Sequence, residues 1–276
     1  MKLPRPPDWL IYLAVVGALT WAAIAAQDRA DVPPAPPPMP ALPGPPLAPA
    51  SPFDPAAVVK TPATPGPGTG AAFSVAAGGV WLTARHVVEG CARVAVVVAP
   101  GSAVAAAVRM DPSSDTAVLF TKGGAPAVPL APPTLLRQGA VAFHPGFPGG
   151  RAGEAASRLV GRRRLTTHGR GARPQPVLAW AQIGRTADLP ASLAGLSGAP
   201  ALDGAGQAVG VTIAQAPRRG LIYTTTPGSL RAALAAAGVR LAPGAAGEPI
   251  TVANYGRVAD DLRRDLRVVP VVCLGR

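Results

Sequence analysis

Three local patterns in the 276-residue chain set reactive side chains beside apolar runs. In Val80-Trp81-Leu82-Thr83-Ala84-Arg85-His86-Val87-Val88, an imidazole follows closely on an apolar stretch. In Asp111-Pro112-Ser113-Ser114-Asp115, a carboxylate stands at the mouth of the next apolar run, Thr116-Ala117-Val118-Leu119. In Gly195-Leu196-Ser197-Gly198-Ala199-Pro200, a serine lies between glycines. A serine hydroxyl is a weak nucleophile near neutral pH and needs a base beside it. His86 suits that task, because free imidazole titrates near a pKa of about 6.5. A carboxylate such as Asp115 holds the other ring nitrogen and favours the imidazolium as it forms. Glycines near the serine can let backbone N–H groups turn inward as an oxyanion hole. The chemistry this combination predicts is acyl transfer, with no cofactor. Two cysteines and three histidines cannot build a zinc ribbon or finger. No G-x-x-x-x-G-K-[ST] or G-x-G-x-x-G loop is present to cradle phosphates.

The elements that must carry these residues read as short strands. Ala71–Val75, Val80–Thr83, Arg93–Val98, Ala103–Met110, Thr116–Phe120, Ala140–Phe143, Ser157–Leu165, Val177–Ile183, Ala208–Ala214 and Leu221–Thr225 are apolar runs divided by Gly, Pro and Asp turns. Ten strands without intervening helices predict an antiparallel sandwich or barrels. A helix is expected after Thr226, which can cap it, with Pro227 in its first turn and Gly238 as its stop. A second is expected over Val252–Leu266, then a strand-like end, Val268–Leu274. Trp81 and Trp180 read as barrel core. His144 and His168 read as residues of surface turns, and Asp111 as the cap of the turn that presents Asp115.

Upstream, the composition changes. Of the 35 prolines, fifteen fall between Val32 and Gly68, so residues 27–68 are expected to be an extended, solvated tether. Before it, Trp9–Ala26 runs eighteen residues without a charge, about 27 Å as a helix and close to a bilayer's hydrocarbon thickness. Lys2 and Arg5 precede it and Asp28 and Asp31 follow it. The expectation is a cytoplasmic N-terminus (1–8), a single-pass anchor held by inner-membrane lipid (9–26), the tether (27–68), a folded domain (69–240) and a C-terminal tail (241–276), with the folded part in the periplasm. Signal cleavage near Ala23-Ile24-Ala25, releasing the protein to the periplasm, is the alternative. The net charge of +12 comes from 23 Arg and 3 Lys and is densest over Arg151–Arg173. With 4% aromatic residues and no nucleic-acid motif, that cluster reads as a solvated loop and strand, and no nucleic-acid partner is expected.

Chain order then narrows the choice. No histidine follows Ser197, which excludes an α/β-hydrolase, and the acids of the exported part upstream of His86 lie in the tether, which excludes the subtilisin order. The observed order is His86, Asp115, Ser197, spaced by 29 and 82 residues. With it, the chain resembles the trypsin-like (chymotrypsin-fold) serine proteases, and in texture the protease domain of the periplasmic high-temperature-requirement type. Thr83–Val88 is similar to T-[AN]-x-H-V-V, Asp111–Leu119 to D-P-x-x-D-[LIT]-A-[VL]-L, and Gly195–Pro200 to G-[DN]-S-G-[GS]-P. Thr69–Phe73 resembles the strand that opens the domain. The resemblance covers about Thr69 to Val239, without a PDZ-like domain.

What the resemblance implies is an all-β fold of two antiparallel Greek-key β-barrels with a C-terminal helix and the catalytic residues in the cleft between the barrels. It further implies a serine endopeptidase acting on polypeptide substrates, with Ala191, six residues before the serine, at the floor of an uncharged substrate pocket. Two positions depart from the pattern: Leu196 stands in place of Asp or Asn, and Ala199 in place of Gly or Ser. Leu196 cannot receive a new N-terminus, so activation by that route is not expected. A protease-fold scaffold that binds peptide or an envelope partner without cleaving it is the alternative reading. Cys91 follows His86 by five residues and Cys273 lies in the apolar tail; in an oxidising compartment a Cys91–Cys273 disulfide is expected to pin that tail behind the histidine. Oligomeric state is not legible in the sequence.

Overall fold

The computed structural model describes residues 8–27, 44–59, 69–132, 136–167, 174–189, 192–241 and 247–275. Helix α1 (Asp8–Gln27), described by itself, contains the uncharged run Trp9–Ala26, and its side chains from Tyr12 to Trp21 are all exposed. Among the described residues no helix is long and apolar enough to cross a membrane; the side chains described in α1 are Trp9 and those from Tyr12 to Trp21.

The strands that carry His86 and Asp115 belong to a closed six-stranded barrel. It comprises β2 (Thr69–Ala76), β3 (Val80–Thr83), β4 (Arg93–Ala99), β5 (Ser102–Met110), β6 (Ala117–Phe120) and β13 (Val268–Leu274), ordered β13-β2-β3-β6-β5-β4. The last strand closes the ring. Val268 lies opposite Phe73 on β2, and Cys273 opposite Val94 on β4. The strand-like end expected at residues 268–274 is thus a wall of the first barrel. Closure leaves that barrel without an edge strand to protect.

The second barrel comprises β7 (Val141–Gly146), β8 (Gly153–Thr167), β9 (Gln175–Arg185), β10 (Pro200–Leu202), β11 (Ala208–Ala216) and β12 (Leu221–Thr224). The order β8-β7-β10-β11-β12-β9 returns to β8 through the β8–β9 pairing. Leu159, Leu178, Trp180, Val209 and Ile222 pack together with Leu193 and Leu196 of the loop that carries the serine. A second apolar cluster joins Phe73, Leu82 and Val118 of one barrel to Phe143, Val177 and Val211 of the other. The buried faces of two helices, α3 (Pro227–Ala236) and α4 (Tyr255–Arg264), complete it through Leu230, Leu234, Val258 and Leu262. Trp81 and Trp180 are buried, as expected of core.

At α3, Thr226 accepts from the Ser229 N–H at 3.2 Å, Pro227 opens the first turn, and Gly238 follows with φ +76°. At α4, the helix is shorter than Val252–Leu266. Residues Thr251 to Asn254 form a turn in which Asn254 Oδ1 accepts from the Thr251 N–H at 2.7 Å, and Leu266 leaves helical geometry at φ +57°. The tether expectation also needs correction, because residues 44–59 are ordered against the second barrel. The Gly44 N–H donates to Gln138 O, the Leu47 N–H to Leu136 O, and β1 (Ala56–Val59) pairs in parallel with the end of β8. Leu47 is buried. Arg162 and Arg164, the centre of the basic cluster, donate to the carbonyls of Ala48 and Pro52. Proline-rich backbone lacks donors but keeps its carbonyls, and here arginines supply the donors. Residues 28–43 and 60–68, and His168, lie outside the described residues.

Candidate active site

The apolar strand β3 ends at Thr83, and the four-residue helix α2 (Arg85–Val88) follows at once, which places His86 on the first turn beyond the barrel wall. Across from it, the Asp111–Thr116 turn leads into β6. Asp111 holds that turn by accepting from the Ser113 N–H at 3.0 Å and from the hydroxyls of Ser113 and Ser114 at 2.8 and 2.5 Å. Asp115 is thereby presented to the histidine through two contacts. Its Oδ1 accepts from the His86 N–H at 2.9 Å, and its Oδ2 lies 2.7 Å from His86 Nδ1. An ionised carboxylate can only accept, so Nδ1 carries the proton and Nε2 keeps its lone pair. The ring is 30% exposed and the carboxylate 11%.

Electrostatics couple the pair. Burial by itself pushes the His86 pKa down, but the charge and hydrogen bond of Asp115, with help from Glu89, outweigh it, and the net shift is upward from 6.5. Burial by itself pushes Asp115 up; the His86 charge and hydrogen bonds, with Arg85 nearby, reverse that, and its net shift is downward. The Asp115 N–H donates to Gln175 Oε1 of β9 at 2.7 Å, so the second barrel also holds the carboxylate's backbone. Sequence reading missed Gln175.

Ser197 comes from the loop before β10, and that loop is fixed to both barrels. On the first, the Ala71 N–H donates to Ser197 O at 2.7 Å, and Thr83 Oγ1 donates to Ala71 O at 2.7 Å. Any Cβ added at Gly70 would touch both Ser197 O, at 2.8 Å, and the Val87 methyls beside His86, at 2.7 Å. On the second, the Gly198 N–H donates to Thr212 O and the Thr212 N–H to Ala199 O, each at 2.8 Å. The two glycines are required by space. Gly195 has φ +98° and a Cβ there would fall 2.4 Å from Phe147 O; Gly198 has φ +90° and a Cβ would fall 1.9 Å from Ala71 O. Among the described residues, the N–H groups of Gly195 and Ser197 donate to no protein acceptor, and Ser197 Oγ makes no hydrogen bond with His86.

The two departures from the motif are buried and packed. Leu196, 2% exposed, lies in the cluster with Leu189, Leu193 and Ile222, and Ala199 is fully buried in the same cluster. A cavity of about 40 Å³ opens beside Ser197, with Leu193, Leu196, Thr212, Gln215 and Ile222 in its lining and no ionisable group. Gln215 laces its walls together. Its Oε1 accepts from the Leu193 N–H at 2.9 Å, and its Nε2 donates to Ser192 Oγ at 2.8 Å. Ala191 lies outside the described residues. The Cys91–Cys273 disulfide is formed, with Cα atoms 5.4 Å apart, and ties β13 to the segment just past α2. His144 is fully buried, contrary to the surface turn expected of it, because it sits mid-strand on β7 with polar partners on both sides. No group of His, Cys, Asp and Glu among the described residues could hold a metal ion.

A family profile described as "Trypsin-like peptidase domain" matches residues 68–211, just over half of the chain. No curated protein matches. Among solved structures, the active form of the Rv3671c protease from M. tuberculosis is similar at 22% identity and a TM-score of 0.51, over 74% of this chain and 99% of that one. The Ser343Ala inactive form of Rv3671c from M. tuberculosis H37Rv is similar at 25% identity and a TM-score of 0.49, over 61% and 81%. The HtrA-type protease AlgW with a decapeptide is similar at 21% identity and 0.48, over 62% and 52%.

Proposed function

Since the chain belongs to the trypsin-like peptidase family and is a serine endopeptidase, we propose that it cleaves polypeptides through His86, Asp115 and Ser197. His86 Nε2 takes the Ser197 proton as the hydroxyl oxygen attacks the carbonyl carbon of the scissile peptide. The oxyanion so formed is held by the N–H groups of Gly195 and Ser197. Collapse expels the amine, which receives the proton from His86, and water then hydrolyses the acyl-enzyme by the same base. Asp115 keeps the ring in the tautomer that leaves Nε2 basic. The observation that carries this reading is the Asp115 contact to both the backbone and the ring of His86, 2.9 and 2.7 Å. Contact between Ser197 and His86 belongs to the substrate complex, since such bonds tighten when substrate binds.

The apolar cavity beside Ser197 supports a preference for small, uncharged side chains and against Arg or Lys. The helix at residues 8–27 and the uncharged run within it support anchoring in the inner membrane, with the barrels in the periplasm. Alkaline carbonate extraction of the membrane fraction tests that: the full chain should stay with the membrane, whereas a soluble product beginning near Gln27 would establish signal cleavage instead. The catalytic reading is tested with a fluorophosphonate probe. Wild-type protein should be labelled and Ser197→Ala should not be. Equal labelling of both would refute Ser197 as nucleophile; no labelling of the wild type would favour the peptide-binding scaffold.

A further inference from the structure

The second barrel holds a chain of polar side chains in an otherwise apolar interior. His144, Ser157 and Thr224 are fully buried, and Thr212 nearly so. His144 Nε2 lies 2.7 Å from Ser157 Oγ, and Nδ1 lies 3.0 Å from Thr212 Oγ1. Ser157 Oγ donates its one proton toward Ala142 O, 3.4 Å away. With Nε2 protonated every one of these groups is paired: Ser157 Oγ accepts from Nε2–H, and Nδ1 accepts from the Thr212 hydroxyl, which has no other acceptor among the described residues. The imidazole and the Trp180 ring lie nearly perpendicular, with centroids 6.2 Å apart and planes at 81°, and Trp180 Nε1 in turn donates to Thr224 Oγ1 at 2.9 Å. Burial pushes the His144 pKa down to about 3, so the ring stays neutral and keeps one donor and one acceptor.

Neither the proposed triad nor the oxyanion hole uses this histidine, yet it reaches their support. Thr212 is the residue whose N–H and carbonyl bracket the serine loop, at Ala199 O and Gly198 N. Thr212 also lines the cavity beside Ser197. Without an acceptor at Nδ1, its hydroxyl would be buried and unpaired, or would rotate toward that cavity. We propose that His144 is a positioning residue for the nucleophile, fixing Thr212 and, through its backbone pairing with Gly198 and Ala199, the placement of Ser197. This rests on Ser197 being the nucleophile. His144 touches no reacting atom.

The experiment reads two quantities from fluorophosphonate labelling of the full chain. The amount of label at completion counts folded sites, and the rate per site reports how Ser197 is placed. His144→Phe should reach the wild-type endpoint but label on the order of 10–100-fold more slowly, the range that small misplacements produce. Its kcat for peptide hydrolysis should fall by a similar factor with little change in KM. His144→Asn, whose amide oxygen can restore an acceptor near the Nδ1 position, should recover most of the rate. Thr212→Val should match His144→Phe, and the double variant should be no slower than either. Wild-type rates per site in His144→Phe, or single losses that multiply in the double variant, would overturn the proposal, as would a lowered endpoint at an unchanged rate. If His144→Phe does not fold, Thr212→Val and His144→Asn still decide it. An unlabelled wild type would instead overturn the catalytic reading, and this proposal with it.

Discussion

At His86 two opposing effects act on one ring, and their balance sets when the base is available. Burial disfavours the imidazolium, but Asp115 at 2.7 Å favours it more, so the folded-state pKa lies above 6.5. The base form is the deprotonated one. Hydrolysis should therefore rise as pH climbs through that raised pKa and level off above it, which a pH profile of kcat/KM will show. Asp115→Asn removes the main interactions that raise the pKa and leaves the burial that lowers it against Glu89 alone, so the rising limb should move to lower pH. The same change also offers Nδ1 the wrong partner, and kcat should drop by about 10⁴-fold, as in triads of this kind. A rising limb that stays in place would mean that Asp115 does not tune the ring. The candidates His86, Asp115 and Ser197 could be singled out in the sequence because each sits in a local motif. Gln175 and His144 could not, since Gln175 acts on a residue 60 positions away and His144 on one 68 positions away. Local pattern carries no trace of such contacts.

At the scale of elements, α4 is stapled to the β7–β8 hairpin by one arginine. Arg263 donates to Glu154 Oε2 at 2.8 Å and to the carbonyls of Gly153 and Gly146 at 3.2 and 3.4 Å, with both side chains about 10% exposed. The hairpin's tip backs the loop that carries Ser197, for the Gly149 N–H donates to Ala194 O at 2.7 Å. Arg263→Ala leaves Glu154 buried with, among the described residues, only Thr186 Oγ1 as a donor to its side chain, and should destabilise by about 3–5 kcal/mol. Replacing both Arg263 and Glu154 by Met should cost far less, because no charge is then stranded. Urea midpoints of the three proteins check this. The strands of both barrels were legible from their apolar runs, often to within two residues. Strand β10 was not, being three residues long, nor was β1, whose partner Arg164–Thr167 lies over a hundred positions downstream. Proline content argued for a tether over 44–59, but composition cannot reveal that distant arginines stand ready to bond its carbonyls.

For the molecule as a whole, the decisive connection runs from the last strand to the first barrel. Five strands of that barrel come from residues 69–120, and β13 must return from beyond the second barrel to close it. Contacts between such distant segments lose much loop-closure entropy before they form. The Cys91–Cys273 disulfide, 182 residues apart in sequence, removes that freedom from the unfolded chain in advance. In the chain-entropy account a loop of this length stabilises by about 5 kcal/mol as an upper bound. Cys273→Ser, or reduction of the wild type, should therefore lower the urea midpoint and Tm, with a loss of about 2–5 kcal/mol. The consequence should reach the site, because the bridge ends just past the helix that bears His86. Once β13 frays, β2 and β4 lose their shared neighbour, and β2 carries the Ala71 N–H that holds Ser197 O. Activity should accordingly fall at temperatures below global unfolding in Cys273→Ser but not in the oxidised wild type. Parallel measurements of peptide hydrolysis and near-ultraviolet circular dichroism against temperature separate the two events. If the activity and unfolding curves of Cys273→Ser coincide, the bridge stabilises the whole fold without guarding the catalytic cleft.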